Sequence, residues 1–349
     1  MDGFAVQSPD TRHAGSQAPV TLRVVDESRA GRPAETVLSA GEAIRISTGA
    51  ALPAGADAVV RIENCRDCGE TVEVLAEVAP GKEVRRAGED IRASEVVLRR
   101  GTVLGPAEVG VLASVGAAAV DCHRRPVVTV LTTGDELIEP GVPLEVGQVR
   151  NSNSYAVPAQ VRAAGGELGK VDVVPDDYEA TVAAIREGLA SDVLIVCGGV
   201  SVGPHDHVKG AVAELGVEEV FWGVALRPGH PTWFGMREGA LVFGLPGNPV
   251  SAMVTFLLFV RPALAALAEV DYEPLRTTAV MDDRYRKQPG RAHAVRCRLD
   301  VRSDGFHVRP TKEQGSHILT SMLGARALAL IDVEHGDVEP GERVEIELL

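Results

Sequence analysis

Three short runs carry the residues best suited to chemistry. Thr133-Gly134-Asp135-Glu136 follows the apolar run Val127 to Leu131. Gly198-Gly199-Val200-Ser201-Val202-Gly203 follows Val193 to Cys197, and Leu245-Pro246-Gly247-Asn248-Pro249 follows Leu241 to Phe243. A strand that empties into glycines ahead of a helix lets backbone N–H groups converge on an anion, and the helix N-terminus adds partial positive charge. Carboxylates at a strand end, here Asp135 and Glu136, either hold magnesium through one or two oxygens and waters or cap a turn. After the middle run comes a helix-like segment with Asp206, His207 and Lys209. Asp206 suits an N-cap, a role compatible with ligand binding. His205 and His207, two residues apart, point away from each other on a helix and so do not form a metal pair.

The elements that must position these loops alternate between strand and helix from residue 126 to 270. Strands are expected at Val127 to Leu131, Val171 to Val174, Val193 to Cys197, Val220 to Val224 and Leu241 to Phe243. Helices are expected at Ser154 to Ala164, with Asn153 as N-cap, at Tyr178 to Leu189 behind Asp176 and Asp177, and from Pro249 to near Ala268. This alternation implies a mostly parallel sheet with helices on both faces and functional loops at the carboxyl ends of the strands. Residues 1–90 show short alternating stretches (Val20 to Val25, Ala43 to Ser47, Ala58 to Ile62, Thr71 to Val78) that predict a β-rich domain. Residues 91–125 read as a small connecting unit with a helix at Pro106 to Ala113. Residues 271–349 return to short strands, near Thr278 to Met281, Val295 to Leu299, His307 to Arg309, Ala327 to Asp332 and Arg343 to Leu348, and suggest a small barrel or sandwich.

Composition limits the classes of function. A chain of 349 residues is too long for one ordinary domain. Its net charge of -14 argues against nucleic acid and an anionic membrane surface as partners, though a local basic cluster still accommodates a small anion. No apolar run reaches the length expected of a membrane helix, and the start lacks a signal pattern. Five scattered cysteines read as reduced thiols of a cytoplasmic protein, and Cys65-x-x-Cys68 without a second pair reads as a polar turn before Gly69.

Further motifs occur in order with those loops: Met1-Asp2-Gly3-Phe4-Ala5, Ser47-Thr48-Gly49-Ala50, Arg85-Arg86-Ala87-Gly88-Glu89-Asp90 and Gln314-Gly315-Ser316-His317. Together they closely resemble the molybdopterin molybdenumtransferase family, which includes the E domain of gephyrin, over essentially the whole chain. The resemblance implies insertion of molybdate into adenylylated molybdopterin, with release of AMP and molybdenum cofactor and with Mg2+ as divalent cation. Molybdopterin adenylyltransferase would be the upstream donor. The implied fold is a three-layer α/β domain of the MogA/MoaB kind with a mostly parallel sheet, a β-rich domain, a linker domain and a C-terminal β-barrel. The implied assembly is an elongated homodimer, with the cleft between the α/β domain of one subunit and the β-rich domain of the other.

Residue by residue, the resemblance makes Glu136 the active carboxylate, sharing the cation with Asp206, and makes Asp176 a family position that also suits capping. Asp2 and Thr48 would reach the cleft from the β-rich domain. Arg85 would stand near pterin or phosphate with Asp90 orienting it. Gly198, Gly199, Ser201 and Gly203 would cradle phosphate and pterin, with Pro246, Gly247, Asn248 and Pro249 as the rigid turn beside them. Arg296 and Ser316 match the family's proposed molybdate pocket, where a guanidinium and a hydroxyl suit an oxyanion.

Two departures stand out. The chain begins inside the opening motif, so the segment that usually precedes it, part of the linker domain and dimer, is expected to be missing through a misplaced start codon or truncation. The dimer would then require its restoration. Second, Gly223, Arg227 and His230 stand where many members carry lysine. Anion binding is then weaker, or handled by Arg227 with Arg296 and Lys209. The loss of lysine at 223 and 230 favours a scaffold relative of the gephyrin kind, whereas Asp2, Thr48, Glu136, Asp206 and Ser316 favour the enzyme. Another pterin or nucleotide enzyme on the same α/β domain would lack the Gln-Gly-Ser-His barrel motif.

Overall fold

The computed structural model describes residues 2–200 and 207–349. The chain falls into two compact units, Met1–Val97 and Leu98–Leu349.

The first unit is built on a six-stranded sheet. Its order is Ala58–Arg61, Gly3–Val6, Glu42–Ile46, Val20–Ser28, Thr71–Val74 and Cys65–Asp67. Successive strand residues point to opposite faces, and both faces are buried. Phe4, Val6, Ala43 and Val60 enter one apolar cluster, while Ala5, Ile44 and Val59 enter the other. Gly3–Val6 is therefore continuously apolar, without the alternation that marks the other strands. Its glycine has a packing reason: a Cβ at Gly3 would lie 2.0 Å from the Val60 carbonyl oxygen. Cys65 lies in a strand, while Cys68 and Gly69 form the expected turn, with Cys68 N–H donating to Thr71 O at 2.9 Å. Both thiols are free, and burial pushes that of Cys65 up to about 11.

In the second unit, the Pro106–Ser114 helix starts with proline in its first turn, and Glu108 accepts a hydrogen bond from Gly105 N–H at 3.0 Å. A six-stranded sheet follows, ordered Glu167–Val174, Val127–Thr133, Val193–Cys197, Ala240–Leu245, Trp233–Arg237 and Glu218–Trp222. The first four strands are parallel; Trp233–Arg237 runs antiparallel to them, and the edge strand Glu218–Trp222 is antiparallel to it in turn. Ile195 faces Val157, Val161, Phe256 and Leu264, whereas Leu194 and Val196 belong to the cluster with Val182, Ile185, Val208 and Val212. Helices thus cover both faces, which is why the central strands are apolar throughout. Trp233–Arg237 was not among the expected strands. The strand expected at Val220 to Val224 is Glu218–Trp222 and stops before Gly223, whose φ of 79° breaks it.

The Asn153–Ala163 helix corrects a capping expectation. Ser152 takes the N-cap position, and Asn153 is the first helical residue, with its side chain turned to another loop. The helix Pro249–Leu267 also corrects the membrane-length expectation, since its 19 residues with mean hydropathy 1.9 are long and apolar enough to cross a bilayer. Its composition has a packing origin. Ala252, Phe256, Val260 and Leu264 lie on the sheet, while Val250 and Val254 join Leu226, Ala294 and Leu328 on another side. A helix packed on several sides is apolar nearly all round.

Five strands close a barrel at the C-terminal end. Ala292–Arg302, Gly305–Pro310, Arg276–Met281, Arg343–Leu348 and Ala327–Ile331 pair in that order, and the last returns to the first. The short Leu226–Arg227 strand adds to the barrel beside Ala292 and His293.

Candidate functional site

Three loops leave the sheet side by side. Cys197 is in register with Thr132 on one neighbour and Leu245 on the other, so the loops beginning at Thr133, Gly198 and Pro246 emerge at one edge. Gly198 N–H donates to Leu245 O at 3.0 Å, locking two of them. Gly198 has φ 98°, and a Cβ there would stand 2.8 Å from Thr133 Oγ1. Gly198→Ala is therefore expected to cost about 2–4 kcal/mol, as left-handed strain and the clash with Thr133 Oγ1 add; urea unfolding measures it. Gly199 (φ 65°) packs as closely on Val208. Ser201, Gly203 and Asp206 lie outside the described residues, as does His205. His207 precedes the Val208–Glu214 helix, and Lys209 in its first turn places its ammonium 3.7 Å from the centre of the Trp222 ring. Trp222 Nε1 in turn donates to Val200 O at 3.1 Å.

The carboxylates at this edge divide into held and free groups. Asp135 and Asp176 clasp their two loops: Asp176 N–H donates to Asp135 Oδ1 at 3.1 Å, and Asp135 N–H to Asp176 Oδ2 at 3.4 Å. The helix cap is Asp177, which accepts from Ala180 N–H at 2.8 Å, so capping does not account for Asp176. Glu136 is exposed, and its carboxylate lies over Gly134, where a Cβ would meet Glu136 Oε2 at 2.4 Å. No group of three metal-ligating side chains occurs among the described residues. A single open carboxylate still fits magnesium, which keeps several waters and takes one or two carboxylates together with substrate phosphates.

The turn into the long helix joins the barrel to this edge. Asn248 is its N-cap residue and Pro249 occupies N1, where proline loses no hydrogen bond. Val250 N–H donates to Ser316 O at 3.2 Å, which sets the Gln314–His317 loop against the helix start. Arg296 anchors that loop from inside. It is buried, donates to Ser321 Oγ through Nε and Nη2, both at 3.1 Å, and reaches Gly315 O at 3.2 Å. Burial lowers its pKa. Ser321, wholly buried, escapes sequence reasoning because an isolated serine carries no pattern.

Arg227 opens instead on a pocket of about 660 Å³ shared with Arg286, Lys287, Arg291, His293 and Asp337. This cationic lining was missed in the sequence, although the Arg286-Lys287 and Arg291 spacing around Pro289-Gly290 signals it. Burial, then Arg227, Lys287 and Arg291, push the His293 pKa down to about 4. The folded ring therefore stays neutral where the unfolded ring takes a proton. Stability should fall between about pH 6.5 and pH 4 on this account, a loss that His293→Asn removes; urea unfolding across that window checks it.

Comparison with known proteins decides the family. "MoeA N-terminal region (domain I and II)" matches residues 1–116, "Probable molybdopterin binding domain" 129–266 and "MoeA C-terminal region (domain IV)" 278–349. The molybdopterin molybdenumtransferase of Haemophilus influenzae is 36% identical over 99% of this chain and 86% of its own length. That of Bacillus subtilis is 34% identical over 100% and 82%. The chain belongs to the molybdopterin molybdenumtransferase family. The crystal structure of the MoeA protein from Pyrococcus horikoshii OT3 superposes with a TM-score of 0.81 at 32% identity, covering 100% of this chain and 86% of that one.

Gly223 and His230 lie against each other. Gly223 leaves room for His230, whose Cε1 would lie 3.6 Å from a Cβ at 223. His230 Nδ1 is 2.8 Å from Val224 O, and its ring is tilted on Trp222 at 6.2 Å. In the first unit, Thr48 donates to Asp2 Oδ1 from its N–H at 2.7 Å and its hydroxyl at 3.0 Å, which lowers the Asp2 pKa. Arg85 and Asp90 are both exposed, and no hydrogen bond joins them among the described residues; the turn between them is closed by Arg86 N–H on Glu89 at 2.9 Å.

Proposed function

We propose that this chain inserts molybdate into adenylylated molybdopterin, releasing AMP and molybdenum cofactor. The observation that carries the reading is the convergence of three glycine-bearing loops and the open Glu136 carboxylate at the carboxyl edge of the parallel strands. Relatives named molybdopterin molybdenumtransferase, similar over 99% and 100% of this chain, support it.

In this reading catalysis is positioning and electrostatics, without a covalent nucleophile. Gly198, Gly199, Ser201 and Gly203 cradle phosphate and pterin, and Lys209 offers a cation beside them. Pro246, Gly247, Asn248 and Pro249 form the adjoining wall, and the clasped Asp176 fixes the loop that carries Glu136. Glu136 with Asp206 would hold Mg2+, which supplies charge neutralisation at the pyrophosphate. Arg227 admits molybdate through the cationic pocket; by the family resemblance His230 and Ser316 also serve the anion, Ser316 from the loop that Arg296 holds. Arg296 acts through the loop it anchors. By the family resemblance, Asp2, Thr48, Arg85 and Asp90 would reach the substrate from the β-rich domain of the other subunit of the homodimer. The domains run 1–90, 91–125, 126–270 and 271–349, and the chain works as a cytoplasmic homodimer supplied by an adenylyltransferase.

The test is AMP release from adenylylated molybdopterin with magnesium, followed by chromatography with and without molybdate. Release that depends on molybdate supports the reading. Pterin binding with no AMP release would favour the scaffold.

A further inference from the structure

Asn153 opens the Asn153–Ala163 helix and is 8% exposed. Its Nδ2 donates to Gly247 O at 2.8 Å, while its Oδ1 is buried with no hydrogen-bond partner among the described residues. Turning the amide over would set two acceptors against each other, so the Gly247 bond fixes which atom is left unpaired. Buried polar oxygens are nearly always satisfied, and leaving one unsatisfied is destabilising. Capping does not explain the residue, because Ser152 holds the N-cap position. Its location does suggest a use. Gly247 stands against Gly198, since a Cβ at 247 would lie 3.7 Å from Gly198 Cα, so Asn153 backs the junction of two of the three loops.

We infer that Asn153 Oδ1 accepts a hydrogen bond from the bound substrate, making Asn153 a specificity-determining residue that also holds the Gly247 carbonyl in place. This rests on the proposed function for the identity of the substrate. The donor is an N–H or O–H group, from either the pterin ring or the nucleotide ribose. Substrate binding then satisfies an acceptor that the free protein leaves unpaired.

The experiment compares the full chain with Asn153→Leu, which keeps the side-chain size and removes both polar atoms. Melting temperature of the free protein and Kd for molybdopterin and for AMP are measured separately. The free variant should melt as high as the parent, because losing the Gly247 bond is offset by losing the unpaired acceptor. Binding should weaken about tenfold or more for one ligand. Weakened molybdopterin with unchanged AMP assigns the donor to the pterin, and the reverse assigns it to the nucleotide. Unchanged Kd for both ligands overturns the inference, whatever the melting temperature. Asn153→Asp supplies a second readout if the leucine variant fails to fold. It keeps an acceptor but must carry a proton to bond Gly247, so its affinity should rise as pH is lowered while the parent's does not. A flat profile with parental affinity also overturns the inference. If the parent binds neither ligand, the functional reading falls, and this inference with it.

Discussion

Glu136→Gln is expected to slow molybdate-dependent AMP release by roughly 10²–10³-fold, the usual effect of removing one preorganised electrostatic group from an active site. The substitution keeps the size of the side chain and removes only its charge. Glu136 is exposed and makes no side-chain hydrogen bond among the described residues, so the folded state should be indifferent to it. Melting temperature should therefore match the parent, and molybdopterin binding without magnesium should be nearly unchanged. A variant that released AMP at the parental rate would remove Glu136 from the chemistry. The neighbouring pair behaves differently in this account. Asp135 and Asp176 exchange hydrogen bonds between their loops, so replacing either would disturb position before chemistry.

The second large effect concerns the oxyanion. Arg227→Ala should raise the molybdate concentration for half-maximal AMP release by about 10- to 100-fold, the range for loss of a hydrogen bond to a charged group. Its pocket gathers Arg227, Arg286, Lys287 and Arg291 against one carboxylate, Asp337. Asp337 is already engaged by Arg284 and by Lys287 N–H, both at 2.8 Å. Lys287 is likewise turned inward, donating to Val333 O and His335 O. The arginines therefore dominate the attraction for a dianion, in a chain whose overall charge of -14 repels one. Arg227→Lys should recover part of the affinity but not all, because the ammonium lacks the planar fork. Steady-state titration with molybdate at fixed pterin substrate checks both variants. Equal half-maximal concentrations in parent and alanine variant would place the oxyanion elsewhere.

How much of this was legible in the sequence depends on the kind of signal involved. The strands Val127–Thr133 and Val193–Cys197 were readable because both faces of a parallel sheet are buried, which writes an unbroken apolar run. Gly3–Val6 has the same burial but only four residues and begins at a glycine, so no pattern announces it. Trp233–Arg237, paired antiparallel on both sides, carries glycine and arginine and looks like a loop. Asn153 reads as a cap because asparagine before a helix usually caps it; its bond to Gly247, ninety-four residues away in sequence, is a tertiary fact. The site shows the same division. Glycine loops and carboxylates sit in short motifs, so the sequence alone singles them out as candidates. The resemblance reads Arg296 as an oxyanion ligand, whereas its burial on Ser321 and Gly315 is visible only once the barrel closes. The cationic pocket joins Arg227 to residues about sixty positions later through the pairing of Arg227 with His293, which composition cannot reveal.

The most direct test of the central claim is a single time course of AMP release from adenylylated molybdopterin with magnesium, run with and without molybdate. The account predicts AMP release that requires molybdate and is accompanied by formation of molybdenum cofactor. Tight molybdopterin binding with no AMP release under either condition would contradict it and leave a binding protein on an enzyme's fold.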